Sequence, residues 1–305
     1  MIEILGKTNI DFMGKRKIAF ICSGVMMALG LLALVQIARG AANLGIDFAG
    51  GTAVQLKFDQ PVRTDEARAA LERNNLGGVE IQEFVSENKL LIRMKTTTTI
   101  EEKVADRVVA IFTKEFPARK LDVEASTEIG PTIGHKLQED ALIAILISFA
   151  GIILYIAARF EFRFGVAAAV ATIHDVLAVL GLFYLLDKEI TLLVVTALLT
   201  LAGYSLTDTV VVFDRIRENL RVRRRDGLET IVNNSVNQVL SRTIVTSLTV
   251  VLVLIPLTLA GGEVLHDFSL ALLWGVIVGT YSSIFVASSL LVILPSGAGK
   301  LLKRG

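Results

Sequence analysis

Six long apolar stretches divide the chain, and each can cross a membrane as a helix. A hydrocarbon core about 30 Å thick is crossed by about 20 predominantly apolar residues in an α-helix. The third and fourth stretches are separated only by "DKE", so they are predicted to form a tight helical hairpin. The six stretches are 18–38, 141–158, 165–186, 190–213, 244–260 and 268–294.

A polar segment, residues 39–140, lies between the first two stretches and is large enough to form a small domain. Four short runs in it alternate between apolar and polar residues, which is typical of half-buried strands: "TAVQLKF", "VEIQEFV", "KLLIRMK" and "LDVEASTEI". Two stretches with helical spacing, "RTDEARAALERN" and "TTIEEKVADRVVAIFTKEF", fall between them. The order β-α-β-β-α-β predicts a ferredoxin-like α+β sandwich. The segment has no nucleophile beside a base and no metal-ligand spacing, so neither an enzyme nor a metal site is predicted.

Lys and Arg are unevenly distributed between the two sets of loops. They concentrate in the N-terminal residues 1–17, in the loop 214–241 and in the C-terminal residues 295–305. The short loops on the other side contain one lysine, Lys188, between two acidic residues. Short loops rich in Lys and Arg stay in the cytoplasm. Both termini are therefore predicted to be cytoplasmic, and the polar domain is predicted to lie outside.

Composition agrees with a polytopic membrane protein. Hydrophobic residues make up 53% of the 305 residues, and the mean hydropathy is +0.62, higher than in soluble domains. The single cysteine, Cys22, excludes an intramolecular disulfide. The basic run between the fourth and fifth spans is interpreted as the anchor that sets the topology, with binding of anionic lipid or a ribosome as the alternative.

Four ionisable side chains fall within or at the edge of the spans, where a charge costs about 3 kcal/mol on insertion scales. They are His174, Asp175, Asp208 and Arg242. Asp208 lies six residues before Asp214, or about 9 Å below the interface at 1.5 Å per residue, and Arg242 opens the next span from the same side. Two interpretations remain open for Asp208 and Arg242: a structural ion pair, or a pair whose changing protonation drives a conformational change.

Structural roles are favoured for the other polar and small residues. His174 and Asp175 are interpreted as a packed polar pair rather than a relay, and Asp214 as a helix-end charge. Asp208 and Asp214 are offset by about 240° on one helix, which excludes the catalytic dyad of an intramembrane protease. Small residues repeat at every fourth position of the last span, which favours close helix packing: Gly275, Gly279 and Ser283.

Four motifs resemble a known family. "GIDFAGG" (45–51), "GYSLTDTVVVFDRIRE" (203–218), "SRTIVTS" (241–247) and "GTYSSIFVAS" (279–288) are similar to the SecF family. Its members are the smaller subunit of the bacterial SecD–SecF export factor, in the resistance-nodulation-division superfamily. The resemblance covers nearly the whole chain, with six spans and one external domain in the same order.

The resemblance implies an accessory subunit of the Sec preprotein translocase that uses the proton motive force in the bacterial inner membrane. SecD, the SecYEG channel, YajC and the preprotein in transit are the implied partners, without nucleic acid or cofactor, and the domain at 39–140 is periplasmic. Asp208 and Arg242 match the family's essential fourth-span aspartate and fifth-span arginine, and His174 and Asp175 are added to the proton pathway. The remaining motif residues carried over from the family are Gly45, Asp47, Gly50, Gly51, Gly203, Tyr204, Ser205, Asp214 and Arg215.

The same resemblance suggests how a conformational change would pass from Asp208 to the external domain. Protonation of Asp208 would weaken its pairing with Arg242 and a SecD carboxylate, and the linker "EIGPTIGHKLQED" (128–140) would act as a hinge to the external domain. Two other hypotheses are a non-transporting scaffold that stabilises the channel complex, and a proton-coupled exporter of small molecules or lipids.

Overall fold

The computed structural model describes residues 8–84, 87–95, 104–223 and 225–294, without the side chains of residues 263 and 264. The predicted C-terminal segment 295–305, the first residues of the N-terminal segment and the predicted helical residues 98–103 lie outside this description. The chain divides into two compact units. A helical unit contains the chain up to Asn43 and from Ala144 onward, and an α+β unit comprises Leu44–Ile143.

The helical unit begins with α1 (Arg16–Ala38), and the α+β unit follows. Val54 and Leu56 of its first strand pack with Leu71 and Phe112 of its two long helices in one apolar core. The sheet order β2-β3-β1-β4 is antiparallel throughout and has the predicted ferredoxin-like connectivity. The elements are α2 (Ile46–Ala49), β1 (Gly51–Phe58), α3 (Thr64–Arg73), β2 (Glu80–Phe84), β3 (Lys89–Lys95), α4 (Val104–Glu115) and β4 (Leu121–Ile129).

Six helices of the described chain are long and apolar enough to cross a membrane, which confirms the predicted helical membrane architecture. The first is α1. The next four are α5 (Pro131–Arg159), α6 (Phe162–Leu185), α7 (Leu192–Val222) and α8 (Leu228–Ala260). The sixth span, Leu265–Ile293, is composite. It contains α9 (Gly262–Ser282), a π-helical segment (Ser283–Ala287) and α10 (Ser288–Ile293).

The second spanning helix begins earlier than the apolar pattern predicts. α5 is continuous from Pro131, so most of the predicted hinge at 128–140 is helical. Proline suits the first helical position because it needs no amide donor there, and Gly134 N–H already donates to the Gly130 carbonyl at 3.0 Å. A Cβ on Gly134 would lie 2.8 Å from the carbonyl oxygen of Phe48, so glycine permits this close approach.

The predicted basic loop at 214–241 is also mostly helical, since α7 extends to Val222 and α8 starts at Leu228. Apolar residues at helical spacing account for the extensions: Ile216 is 0% exposed and Ile231 2% exposed. Asn219 Nδ2 donates to Ser235 Oγ at 2.8 Å and links the two extensions.

The crossing of α1 and α6 depends on glycines. A Cβ on Gly30 of α1 would lie 2.2 Å from the carbonyl oxygen of Leu177, and one on Gly181 of α6 would lie 2.9 Å from the Gly30 nitrogen. The backbones therefore touch directly, as small residues allow in membrane helices. A Cβ on Gly24, which is also on α1, would meet no heavy atom within 4 Å among the described residues.

The residues just before α1 form an irregular N-terminal strap, defined here as residues 8–14. Asn237 Oδ1 accepts the Ile10 amide and Asn233 Oδ1 accepts the Phe12 amide, both at 2.8 Å. Met13 is 1% exposed and belongs to the core of the helical unit. The side chains of α8 therefore hold the backbone of the strap as a neighbouring strand would.

Candidate functional site

Asp208 lies on α7 inside the helical unit and is 8% exposed. Its Oδ2 accepts a hydrogen bond from Ser247 Oγ on α8 that is long, at 3.4 Å. The Thr246 hydroxyl also faces the carboxylate, but its single hydrogen has the carbonyl oxygens of Arg242 at 3.0 Å and Thr243 at 2.9 Å as alternative acceptors. Asp208 is thus a nearly buried carboxylate that is only weakly held by hydrogen-bond donors.

Ser247 connects Asp208 to a third helix. The Ser247 Oγ lies 2.6 Å from Thr280 Oγ1 on α9 and 2.9 Å from the carbonyl oxygen of Thr243. Thr280 in turn donates to the Val276 carbonyl at 2.8 Å. A chain of hydroxyl groups therefore runs from Asp208 through α8 to α9.

Arg242 lies on the outer face of α8 rather than against Asp208. Its side chain is exposed, and within the described part of the chain it forms no ion pair. It remains close enough to act electrostatically on Asp208. This arrangement leaves the Arg242 guanidinium facing outward. A direct ion pair between Asp208 and Arg242 therefore stays a prediction.

His174 and Asp175 form a second polar cluster, on α6, with Ser205 of α7 and Ser282 of α9. All four residues are at most 1% exposed. His174 Nδ1 lies 2.9 Å from Asp175 Oδ1, while Oδ2 accepts from Ser282 at 2.8 Å and from Ser205. Asp175 is therefore held by three partners, in contrast to Asp208. His174 Nε2 is buried without a hydrogen-bond partner among the described residues.

The other motif residues of α7 lie on different faces. Gly203 is exposed and Tyr204 is half-buried, one turn before Asp208. Asp214 accepts two hydrogen bonds from Arg159, at 2.8 and 2.9 Å. Arg215 donates to Gln238 at 2.7 Å and is paired with Glu218. Asp214 and Arg215 thus engage in ion pairs and hydrogen bonds within α7, apart from the buried clusters. Since α7 continues to Val222, the interpretation of Asp214 as a helix-end charge is wrong.

The small residues of the last span lie at helix contacts. A Cβ on Gly275 would lie 2.4 Å from Leu201 Cδ2, and one on Gly279 would lie 3.2 Å from Ser205 Cβ, so α9 approaches α7 closely. Ser283, the first residue of the π-helical segment, lies 2.9 Å from Thr209 through their hydroxyl oxygens. This face of the helix therefore combines close packing with hydrogen bonding.

The "GIDFAGG" motif belongs to the α+β unit. Gly45 precedes α2, and Asp47 lies in its first turn. Gly50 and Gly51 have φ values of +74° and +148°, which favour glycine. A Cβ on Gly51 would also lie 2.3 Å from the carbonyl oxygen of Met94. The two glycines thus form the tight entry from α2 into β1.

Sequence reasoning did not assign roles to Ser247, Thr280, Ser282 or Thr209. All four stand within the motifs that carry the family resemblance, close to residues that were assigned. The missing information was which face of each helix points inward. Among the described residues, no group of three or more His, Cys, Asp or Glu side chains is arranged to hold a metal.

Comparison with known proteins identifies related chains. Residues 108–296 match the family "Protein export membrane protein SecD/SecF, C-terminal" and residues 42–62 match "SecD/SecF GG Motif". A protein translocase subunit SecF of Thermodesulfovibrio yellowstonii is 53% identical over 306 residues, covering 100% of both chains. One of Calditerrivibrio nitroreducens is 42% identical and covers 96% of both.

A solved structure is also similar. The crystal structure of SecDF from Thermus thermophilus, a translocon-associated membrane protein, matches with a TM-score of 0.79 and 37% sequence identity. The match covers 94% of this chain and 38% of the SecDF chain. The chain described here therefore spans well under half the length of that protein. These matches confirm the resemblance inferred from the motifs.

Proposed function

Because this chain belongs to the SecD/SecF family of protein-export membrane proteins, we propose that it is an accessory subunit of the Sec preprotein translocase, driven by the proton motive force. Relatives that match over their full length are named translocase subunits SecF, which supports the assignment to the translocase. The role is one of transport, without an enzymatic reaction of its own. Proton coupling is supported by the geometry around Asp208.

The difference between the two buried carboxylates carries this proposal. Protonation of Asp175 would displace one of three closely placed partners, which include a histidine and two serines. Among the described residues, protonation of Asp208 disturbs a long hydrogen bond of 3.4 Å from Ser247 and its interactions with Thr246 and Arg242. Since hydrogen bonds to a carboxylate favour its charged form, Asp208 is the carboxylate suited to exchange a proton, and Asp175 is suited to hold helices together.

The outer faces of α7 and α8 support SecD as the direct partner. Thr196, Thr200 and Thr207 are exposed along α7, and Arg242 and Thr246 are exposed on α8. An arginine facing lipid within a span is costly, and hydroxyl-bearing faces let helices approach closely. A SecD helix bearing a carboxylate would cover this face and pair with Arg242, completing a proton path between the two subunits.

The proposed location is the bacterial inner membrane, with both termini in the cytoplasm and the α+β unit in the periplasm. The basic residues of 214–241 support this orientation through the positive-inside rule. The complex would assist the SecYEG channel, with YajC as a further partner, and act on preproteins in transit.

In the proposed cycle, a proton from the periplasmic side neutralises Asp208. Arg242 remains charged throughout. Neutral Asp208 therefore no longer attracts it electrostatically. The helices that carry these residues then repack, and release of the proton to the cytoplasm restores the starting arrangement. The movement assists the preprotein that is passing through the channel.

The test is export by variants in cells that lack their own copy of this subunit. Asp208→Asn and, separately, Arg242→Met should still co-purify with SecD but lose gradient-dependent release of a pulse-labelled periplasmic protein. Asp214→Asn is the matched control, since this carboxylate lies on the same helix and is paired with Arg159. Normal release by Asp208→Asn would overturn proton coupling and favour the non-transporting scaffold.

A further inference from the structure

We propose that Ser247 is the positioning residue that transmits the protonation state of Asp208 to α9. This role rests on the proposed function and deepens it, since it specifies how proton uptake becomes a helix movement. Within the described chain, Asp208 is the charged side chain that Ser247 contacts. Ser247 itself is 7% exposed and lies between three helices.

The Ser247 hydroxyl has fewer hydrogens to donate than it has acceptors around it. A serine hydroxyl has one hydrogen to donate and two lone pairs that accept. Among the described residues, its acceptors at hydrogen-bond distance are Asp208 Oδ2 at 3.4 Å, the Thr243 carbonyl at 2.9 Å and Thr280 Oγ1 at 2.6 Å, and the Tyr204 hydroxyl also faces it. Ser247 can donate to one of them at a time, so the choice depends on its neighbours.

The charge of Asp208 decides that choice. An ionised carboxylate only accepts, so its charge draws the Ser247 hydrogen towards Oδ2, although the contact at 3.4 Å is longer than an ordinary hydrogen bond. Ser247 then donates to Asp208, and Thr280 is free to donate to Ser247. A protonated Asp208 donates its own hydrogen to Ser247, which then donates to Thr280 or to the Thr243 carbonyl. Proton uptake therefore reverses the direction of the hydroxyl chain.

Thr280 is well placed to pass on this reversal. When it accepts from Ser247, its own hydrogen is directed to the Val276 carbonyl, 2.8 Å away. Ser282, two residues on, donates to Asp175, and Ser283 contacts Thr209. The turn 280–283, where α9 meets the π-helical segment, thus contacts α6, α7 and α8.

The π-helical segment begins at the end of this turn, at Ser283. Single turns of π-helix occur often at functional sites and interrupt the regular α-helical register. A change in the hydrogen bonds of Thr280 therefore acts directly beside a point where the helix can change its register.

Other groups around Asp208 do not offer the same route. Arg242 of α8 and Tyr204 of α7 are the charged and titratable side chains that interact with Asp208, and Thr280 is its contact on α9 through Ser247. Arg242 faces outward, while Tyr204 is on the same helix as Asp208 and faces Ser247. In the described chain, Ser247 is the side chain that joins Asp208 to the hydrogen bonds of α9.

The experiment uses the complex of this chain with SecD in liposomes and infrared difference spectra recorded on a pH jump. The carbonyl stretch of protonated Asp208 is identified as the band that Asp208→Asn removes. Ser247→Ala should shift this band, because a hydrogen-bonding neighbour is lost. In the cell assay it should slow gradient-dependent export about fivefold, the order expected for one ordinary hydrogen bond. Ser247→Thr retains the hydroxyl and should restore both.

Thr258→Val is the matched control. Thr258 also lies on α8 and donates across to α9, to Ser269 at 3.1 Å, but it is far from Asp208 along the helix. This variant should leave the Asp208 band in place. If Ser247→Ala does not assemble, Thr280→Val tests the same chain from the other helix, and it should slow gradient-dependent export while removing no contact of Asp208.

The outcomes separate the two proposals. An Asp208 band that is present but unshifted by Ser247→Ala, with normal export, overturns the role of Ser247 and leaves proton coupling intact. Normal export by Thr280→Val overturns the transmission to α9. Absence of any Asp208 band in the unmodified complex, with normal export by Asp208→Asn, refutes the proposed function itself.

Discussion

Replacement of Gly30 by alanine should loosen the crossing of α1 and α6. The added Cβ would lie 2.2 Å from the carbonyl oxygen of Leu177, whereas ordinary contact begins at 3.4 Å. The helices must therefore separate by about 1.2 Å at this point, the difference between these distances. The obstacle is backbone, so a side-chain rotation cannot relieve it.

The cost follows from packing. Overfilling a well-packed contact typically costs about 1–3 kcal/mol. Alanine also favours a helix over glycine by about 1 kcal/mol, and that gain partly offsets the clash. Gly24→Ala on the same helix measures the gain alone, since a Cβ there meets no heavy atom of the described residues within 4 Å. Gly30→Ala should thus be less stable than Gly24→Ala by about 1–3 kcal/mol.

The assay is unfolding of the purified chain in mixed micelles on titration with SDS, followed by helical circular dichroism. Both variants are measured against the unmodified protein in the same detergent. Equal free energies of unfolding for Gly30→Ala and Gly24→Ala would refute the direct backbone contact between α1 and α6.

Three further predictions concern the Arg159–Asp214 ion pair and the α+β unit. Arg159→Gln should change the free energy of unfolding by less than about 1 kcal/mol, because its pair with Asp214 is 40% and 43% exposed; the same SDS titration measures it. Gly51→Ala should destabilise the α+β unit by more than about 1 kcal/mol, since its φ of +148° disfavours any side chain, and faster hydrogen exchange in β1 would report this. A hydrogen bond from Arg73 lowers the pKa of Glu115 from its ordinary 4.5, so this contribution to stability is present at neutral pH and is lost as the pH falls below about 4.5 through the lowered pKa. Arg73→Gln should raise the pKa of Glu115 towards its ordinary value, while the hydrogen bond from Asn74 keeps part of the lowering; NMR follows the titration, and an unchanged titration would contradict the assignment.

The apolar pattern was sufficient to predict the spans because a membrane imposes one clear length requirement on each helix. The strands of the α+β unit followed equally well from alternation, because every second residue, such as Val54 and Leu56, faces one core. The ends of helices were harder. Polar residues at 131–140 and 214–222 continue α5 and α7 as helix beyond the apolar region, and hydropathy does not detect such extensions.

Only part of the candidate site could be predicted from the sequence, for a related reason. Depth along a helix follows from residue number, so Asp208 and Arg242 were placed at a similar level. Rotation about the axis depends on packing with neighbouring helices. Arg242 and Ser247 are five residues apart, or about 140° around the helix at 3.6 residues per turn, and only the structure shows that Ser247 is the one that faces Asp208.

The N-terminal strap sets an order of events during synthesis. Ile10 and Asn237, which hold each other by hydrogen bonds, are 227 residues apart in sequence. A ribosome adds about 5–20 residues per second, so roughly 10–45 s pass before the strap can meet its partners. During that interval the amides of Ile10 and Phe12 need water or another protein as their acceptor. The start of the chain is thus among the last parts of the helical unit to reach its final contacts.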